Sequence, residues 1–213
     1  LLSLKNSEQK NPQVRALSYL IYENNGVVKR EKVSGILKKL EQDDRKILRS
    51  MGIKFGRYHI FLYKLFKPNP VSLRICLWKN FHQNYFDLEP PTFGLNFIEE
   101  KVFKNNSFML LCGFERFGSF YVRIDILERL FMNIINLSSG KNKEIKLVPE
   151  MLNLLGCSKL NFLKLIKFMD YNYIEKENEI YFKYAPKKEK KVKTYLKDEK
   201  NSPFNILSQI NFK

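Results

Sequence analysis

Cysteine and histidine are scarce in this chain, with three of the first and two of the second among 213 residues. Cys76, Cys112 and Cys157 are widely spaced and odd in number. That pattern excludes a disulfide framework and predicts reduced thiols in a cytoplasmic protein. Neither His59 nor His82 joins the cysteines at zinc-ligand spacing, so no metal site is expected. Long apolar runs are missing too. The longest, Phe108 to Cys112, falls far short of the roughly 20 residues that span a bilayer, and no membrane partner is expected. Leu1-Leu2-Ser3-Leu4 has no basic start and no cleavage site, so no signal peptide is expected. The chain opens without methionine, so we expect an internal stretch of a longer protein.

Nucleotide-binding text is equally thin. A phosphate-cradling GxxxxGK[ST] loop does not occur; Gly140-Lys141-Asn142 has only its last glycine and lysine, and Asn142 supplies no hydroxyl for magnesium. Glu99-Glu100 stands alone, without the Asp-Glu-x-His setting of a helicase. His59 and His82 have no serine, cysteine or carboxylate placed nearby by the sequence and read as structural residues. No catalytic residue and no cofactor is expected within these residues.

What the chain does have is positive charge. Lysine and arginine total 38 against 22 acids, a formal +16 with a pI near 9.7. A polyanionic partner, RNA or single-stranded DNA, follows as an expectation. The abundance of lysine, asparagine, isoleucine and phenylalanine is also what an AT-rich genome imposes on its proteins. Hydrophobic residues make up 44%, enough for a real core in one large or two small domains.

Residues 150–184 carry the clearest local pattern. Pro149 suits a helix start, and Gly156 suits the left-handed residue that ends the helix. Ser158 is placed to cap a second helix whose apolar positions include Leu160, Phe162, Leu163, Leu165, Ile166 and Phe168. Tyr173-Ile174-Glu175 and Ile180 to Tyr184 alternate around a polar turn. The order reads as a winged helix-turn-helix. Upstream, helices are predicted over 12–24, with Val14, Leu17, Leu20 and Ile21 on one face, then around Val33 to Leu40, and from Gln42 to Met51. Ile53 to Leu62 reads as a short hairpin or extended crossing. Val71 to Tyr85 reads as a helix, with Leu73, Leu77, Trp78 and Phe81 spaced to bury. Strands are predicted at Phe108–Phe114 and Ser119–Arg123, and a helix at Ile124–Leu137. No internal repeat is visible.

The expected fold is therefore mainly α (α+β): a helical subdomain over 1–88, a proline-rich linker over 89–96, a winged helix-turn-helix subdomain with a small β-wing over 97–185, and a lysine-rich tail over 186–213.

Arg45 to Arg57, followed by Phe61-Leu62, Leu65-Phe66-Lys67-Pro68 and Leu73-Arg74-Ile75-Cys76-Leu77-Trp78, forms the most specific text in the sequence. It resembles the region after the motor domains in alphaproteobacterial helicase-related proteins, superfamily II helicases akin to the mitochondrial RNA-degradosome helicase. That pattern runs as a basic helix, G-V-R-F-G, a Phe-Leu pair, L-K-P and L-R-x-L-L-W. Val122 to Leu130 and Glu150 to Ser158 also resemble it, so the likeness covers about 12–184 in order and departs at the tail. The resemblance implies an accessory C-terminal region of an ATP-dependent, RNA-acting helicase. ATP and magnesium would then belong to motor domains upstream of Leu1, which are also its expected partner in the same chain.

Lys159, Asn161, Lys164 and Lys167 fall on the polar side of the second helix of the 150–184 pattern. They read either as phosphate contacts or as a solvated face of a module packed on the motor. Lys54 and Arg57, next to Tyr58 and His59, combine cations with rings, the toolkit for single strands. Arg74 and Trp78 read as a core tryptophan with a snorkelling arginine, and Asp125 and Glu128 as a surface ion-pair cluster with Arg123 and Arg129. Lys187, Lys188, Lys190, Lys191 and Lys193 read as a cationic arm or a solubilising tail. Two alternatives stay open beside the helicase reading: a free-standing winged-helix regulator of duplex DNA, and a protein-interaction module that ignores nucleic acid.

Overall fold

A computed structural model describes residues 11–82, 87–99, 105–138, 144–176 and 179–186. The fold is mixed helix and strand, with three small antiparallel sheets of three strands each. None of its helices, among the described residues, is long and apolar enough to cross a membrane. The tail lysines, Lys187 onward, lie outside the described residues.

A related order of elements recurs three times, the second time with one helix fewer among the described residues. The first unit runs α1 (Pro12–Glu23), β1 (Val27–Lys29), α2 (Ser34–Lys39), α3 (Gln42–Ser50), β2 (Ile53–Phe55) and β3 (His59–Leu62). The second runs α4 (Pro68–Phe81), β4 (Phe97–Glu99), α5 (Asn106–Leu111), β5 (Phe114–Phe117) and β6 (Phe120–Arg123). The third runs α6 (Ile124–Leu137), β7 (Ile145–Lys146), α7 (Pro149–Leu155), α8 (Lys159–Phe168), β8 (Tyr171–Lys176) and β9 (Glu179–Tyr184). In each, the last strand lies between the other two: β1-β3-β2, β4-β6-β5 and β7-β9-β8. A repeat invisible in the sequence is thus plain in the topology, because side chains need match only in period and polarity to build the same unit.

Local chemistry accounts for the elements. Asn11 caps α1 by accepting the Gln13 N–H at 2.8 Å, with Pro12 in the first turn. Asn11 also donates to Asp44 at 2.7 Å, and Asp44 accepts the Glu41 N–H at 3.1 Å, tying the starts of α1 and α3 together. Gly156 ends α7 at φ 67°, and Ser158 Oγ accepts the Asn161 N–H at 3.3 Å to open α8. Val14, Leu17 and Ile21 bury against Leu37, Leu48, Ile53 and Ile60 in the first core.

The units are fused by shared elements. Strand β6 alternates faces: Tyr121 enters the second core with Val71, Ile75 and Phe108, while Phe120 and Val122 enter the third. Helix α6 starts directly after it. Val27, Phe61, Phe66 and Ile124 form a small buried cluster joining the first and third units.

Four expectations need correction. The 1–88 region is less helical than expected: the hairpin expected over Ile53–Leu62 is there as β2 and β3, and β1 joins it to make a three-stranded sheet. The 89–96 segment does not separate two subdomains: α4 packs against α5 and β6 beyond it, so the segment runs inside one unit. Phe108 to Phe114 is not a strand. Asn105 accepts the Phe108 N–H at 2.9 Å and starts α5, and Gly113 at φ 91° turns the chain into β5. Finally, Leu73, Leu77 and Phe81 do not bury. Val71, Arg74 and Ile75 face inward on α4 instead, leaving those three 61%, 60% and 84% exposed.

Candidate nucleic-acid interface

The turn between β2 and β3 organises everything around it. Gly56 N–H donates to the His59 carbonyl at 2.8 Å, and Arg30 Nη1 donates to the Gly56 carbonyl at 2.7 Å. With the turn closed this way, the next three backbone N–H groups converge on one acceptor, the Glu128 carboxylate of α6. Tyr58 N–H reaches it at 2.9 Å and His59 N–H at 2.6 Å, and Arg57 N–H donates to its other oxygen. Glycine is required at 56 because a Cβ there would lie on the Glu128 side chain.

His59 completes the junction. Its Nδ1 lies 2.8 Å from Glu128 Oε1, and its Nε2 meets Glu115 on β5, which also pairs with Lys29. One imidazole from the first unit therefore joins carboxylates from the second and the third. His59 and Glu128 are each 3% exposed. Burial pulls the imidazole pKa down most strongly, but hydrogen bonds and charge from Glu115 and Glu128 together outweigh it and lift the group to about 9. Burial pushes the Glu115 carboxyl up, and His59 and Lys29 overcome that to hold it below its ordinary value.

Two sequence readings are overturned here. Glu128 is no surface partner of Arg129, and His59 has two carboxylates beside it. The signal was present: Glu128 lies on the stripe formed by Ile124, Leu127, Phe131 and Ile134, where a charge must find partners. Its companion Asp125 does pair at the surface, accepting two bonds of 2.7 Å from Arg123. Nothing in the sequence named His59 as the partner, because 69 residues separate the two.

Lys54 and Arg57 flank this turn, both exposed. The rings expected beside them are spent internally. Tyr58 packs edge-on against Phe131 at 4.9 Å and donates to the Met169 carbonyl at 3.2 Å. Arg57 still reaches Tyr58, its guanidinium lying 5.9 Å over that ring and 5.2 Å over Tyr184, while Lys54 Nζ lies 5.2 Å over the Tyr63 ring. On the Lys54 side, a groove of about 460 Å³ opens between the turn and α6, bordered by Phe55, Tyr63, Lys67, Arg129 and Met132.

The four residues on α8 divide. Asn161 donates to Glu99 of β4 at 2.9 Å, so it braces the second unit against the third. Lys159 sits 3.7 Å from Glu175, and Lys167 lies 4.9 Å over the Tyr173 ring. Lys164 is exposed and makes no ion pair with any described residue. Leu160, 71% exposed, shares that outer face with Lys164 and Lys167. Arg74 is no snorkeller: it is buried on α4 and donates to the carbonyls of Asn25 and Leu65 at 3.0 and 3.1 Å, while Trp78 stacks on His82. Burial lowers the Arg74 pKa and drives the nearby Cys112 thiol up to about 12, so that thiol is inert.

Comparison of the chain with family models, with curated proteins and with solved structures gives no match.

Proposed function

We propose that this chain is a non-catalytic accessory region that holds single-stranded nucleic acid, built from three tandem winged-helix units, in an ATP-dependent helicase acting on RNA. The observation that carries the reading is the outer face of α8. That helix contains three lysines and no acid, and Lys164 and Lys167 stand beside exposed Leu160 on it. In a unit of this order α8 is the helix that follows the turn, the one a winged helix-turn-helix presents to nucleic acid. The excess of 16 positive charges supplies the long-range attraction. Contacts of this kind track the phosphate backbone without reading bases. The motor and its ATP follow from the resemblance of Arg45–Trp78 and Val122–Leu130 to the helicase-related proteins. Those two stretches meet in the fold, through the Gly56–His59 turn and Glu128.

The test is binding of the chain to single-stranded RNA, single-stranded DNA and duplex DNA across a salt series. Single-strand affinity should fall with salt, and Lys164→Glu with Lys167→Glu should weaken it and flatten the slope by about 0.7 per lysine removed. Preference for duplex DNA would favour a regulator instead. A second reading has its own observation: Leu73, Leu77 and Phe81 form an exposed apolar stripe along α4, suited to protein docking. Absence of nucleic-acid binding at low salt would leave that one standing.

A further inference from the structure

The groove beside Lys54 has a composition that the α8 face lacks. Besides Arg123, which is paired with Asp125, its cations are Lys54, Lys67 and Arg129, all exposed, and neither Lys67 nor Arg129 pairs with an acid among the described residues. Its two lining acids are already engaged. Asp125 is held by Arg123 through two bonds of 2.7 Å, and the Glu128 carboxylate is turned into the junction, where three backbone N–H groups and His59 satisfy it. The groove therefore presents unopposed positive charge. It also presents rings: Tyr63 is 37% exposed at the wall, Phe55 is half-buried under the Arg49 guanidinium at 5.7 Å, and Met132 is 44% exposed opposite.

We propose that this groove receives one nucleotide step of a single strand, its phosphate on Lys67 and Arg129 and its base against Tyr63. The assignment rests on the single-strand reading above and adds a second contact point, far in sequence from α8. Size supports a nucleotide, since about 460 Å³ lies in the range of small-ligand clefts. A duplex is read by elements inserted into its grooves and is not received into such a cleft. Chemistry separates a nucleotide from an acidic peptide: carboxylates need only the cations, whereas the exposed ring and the thioether serve a flat apolar base. Lys54 is set to follow the ligand, because its flexible ammonium lies over Tyr63 and can swing to a phosphate as a base takes the ring face.

The decisive experiment compares three variants of the full chain by fluorescence anisotropy on labelled oligouridine, with thermal melts confirming that each is folded. All the substituted side chains are exposed, so the melts should match wild type. Lys67→Glu with Arg129→Glu should weaken binding about tenfold or more at low salt. Tyr63→Ala should weaken it about fivefold to tenfold and leave the salt slope unchanged, since stacking releases no counterions. Crosslinking with 4-thiouridine RNA should label Tyr63 or Met132. If the groove pair binds like wild type while Lys164→Glu with Lys167→Glu loses affinity, the groove assignment fails and the α8 reading survives. Failure of the unaltered chain to bind overturns both. Equal competition by oligoglutamate would replace the nucleotide with an acidic protein segment and overturn the groove assignment.

Discussion

The first and third units end in hairpins that occupy the same place in the repeated order, yet they do opposite things. All four residues of β3 are buried, and the turn before it is bolted to another unit through Glu128. Strands β8 and β9 are longer, six residues each, and Asn172, Ile174, Glu175 and Lys176 face solvent. The difference comes from a few side chains. Gly56 lets a carboxylate approach the backbone, and His59 supplies a cation that can be buried only because two glutamates meet it. Glu175 and Lys176, at the end of β8, pair with Lys159 and Glu144 at the surface, where charges stay in water at low cost. Identical topology thus yields a rivet in one unit and a free edge in another.

The comparison is broken most directly at Glu128. Glu128→Ala leaves three N–H groups without their acceptor and the buried imidazole with one carboxylate in place of two. It should cost about 3–5 kcal/mol, measured by urea unfolding. A loss below about 1 kcal/mol would mean the junction is dispensable.

The next effect is a pH dependence. The His59 pKa is raised from 6.5 to about 9 on folding, so its contribution is complete below pH 6.5 and disappears as pH rises through 9. Its full size is roughly 3 kcal/mol. Glu115 has a lowered pKa, so its contribution is present above its ordinary value of 4.5 and is lost as pH falls below that. The junction should be strongest between about pH 4.5 and 6.5. The wild-type melting temperature should drop from pH 6.5 to 9, and His59→Gln should abolish that drop. A His59→Gln curve parallel to wild type would rule out His59 as the titrating group.

The smallest effect sharpens the contrast from the other side. Ile174→Ser on the third hairpin, at a side chain 55% exposed, should change stability by no more than about 0.5 kcal/mol. A larger loss would show that this edge is also bound to something.

Much of the fold was legible. The limits of α1, α3, α7 and α8 follow from Pro12, the acids near Asp44, Pro149, Gly156 and Ser158, because caps and apolar stripes act within one or two turns of chain. The elements misread were those whose periodicity permits two answers. Phe108 to Cys112 is a short apolar run, which length alone does not assign to helix or strand. On α4 both Leu73-Leu77-Phe81 and Val71-Arg74-Ile75 have helical spacing, and the first is the more apolar. The buried face was chosen by what Arg74 can reach, the carbonyls of Asn25 and Leu65.

The candidate site was legible only as an inventory. Lys54, Arg57, Lys164 and Lys167 were identifiable as surface cations, but not which rings Lys54, Arg57 and Lys167 would lie over, nor that Asn161 would be taken by Glu99. Such pairings join residues tens of positions apart, and no local rule selects among them.

The sequence by itself settled the element types with strong caps, the supply of positive charge, and the apolar faces that must be covered, since all three depend on neighbours within a few residues. Tertiary structure alone decided that the units stack in threes around His59, that Glu128 is core and not surface, and that Lys67 and Arg129 share one groove. Those outcomes depend on where distant segments meet, and burial then determines which charges are satisfied inside and which remain available to a partner.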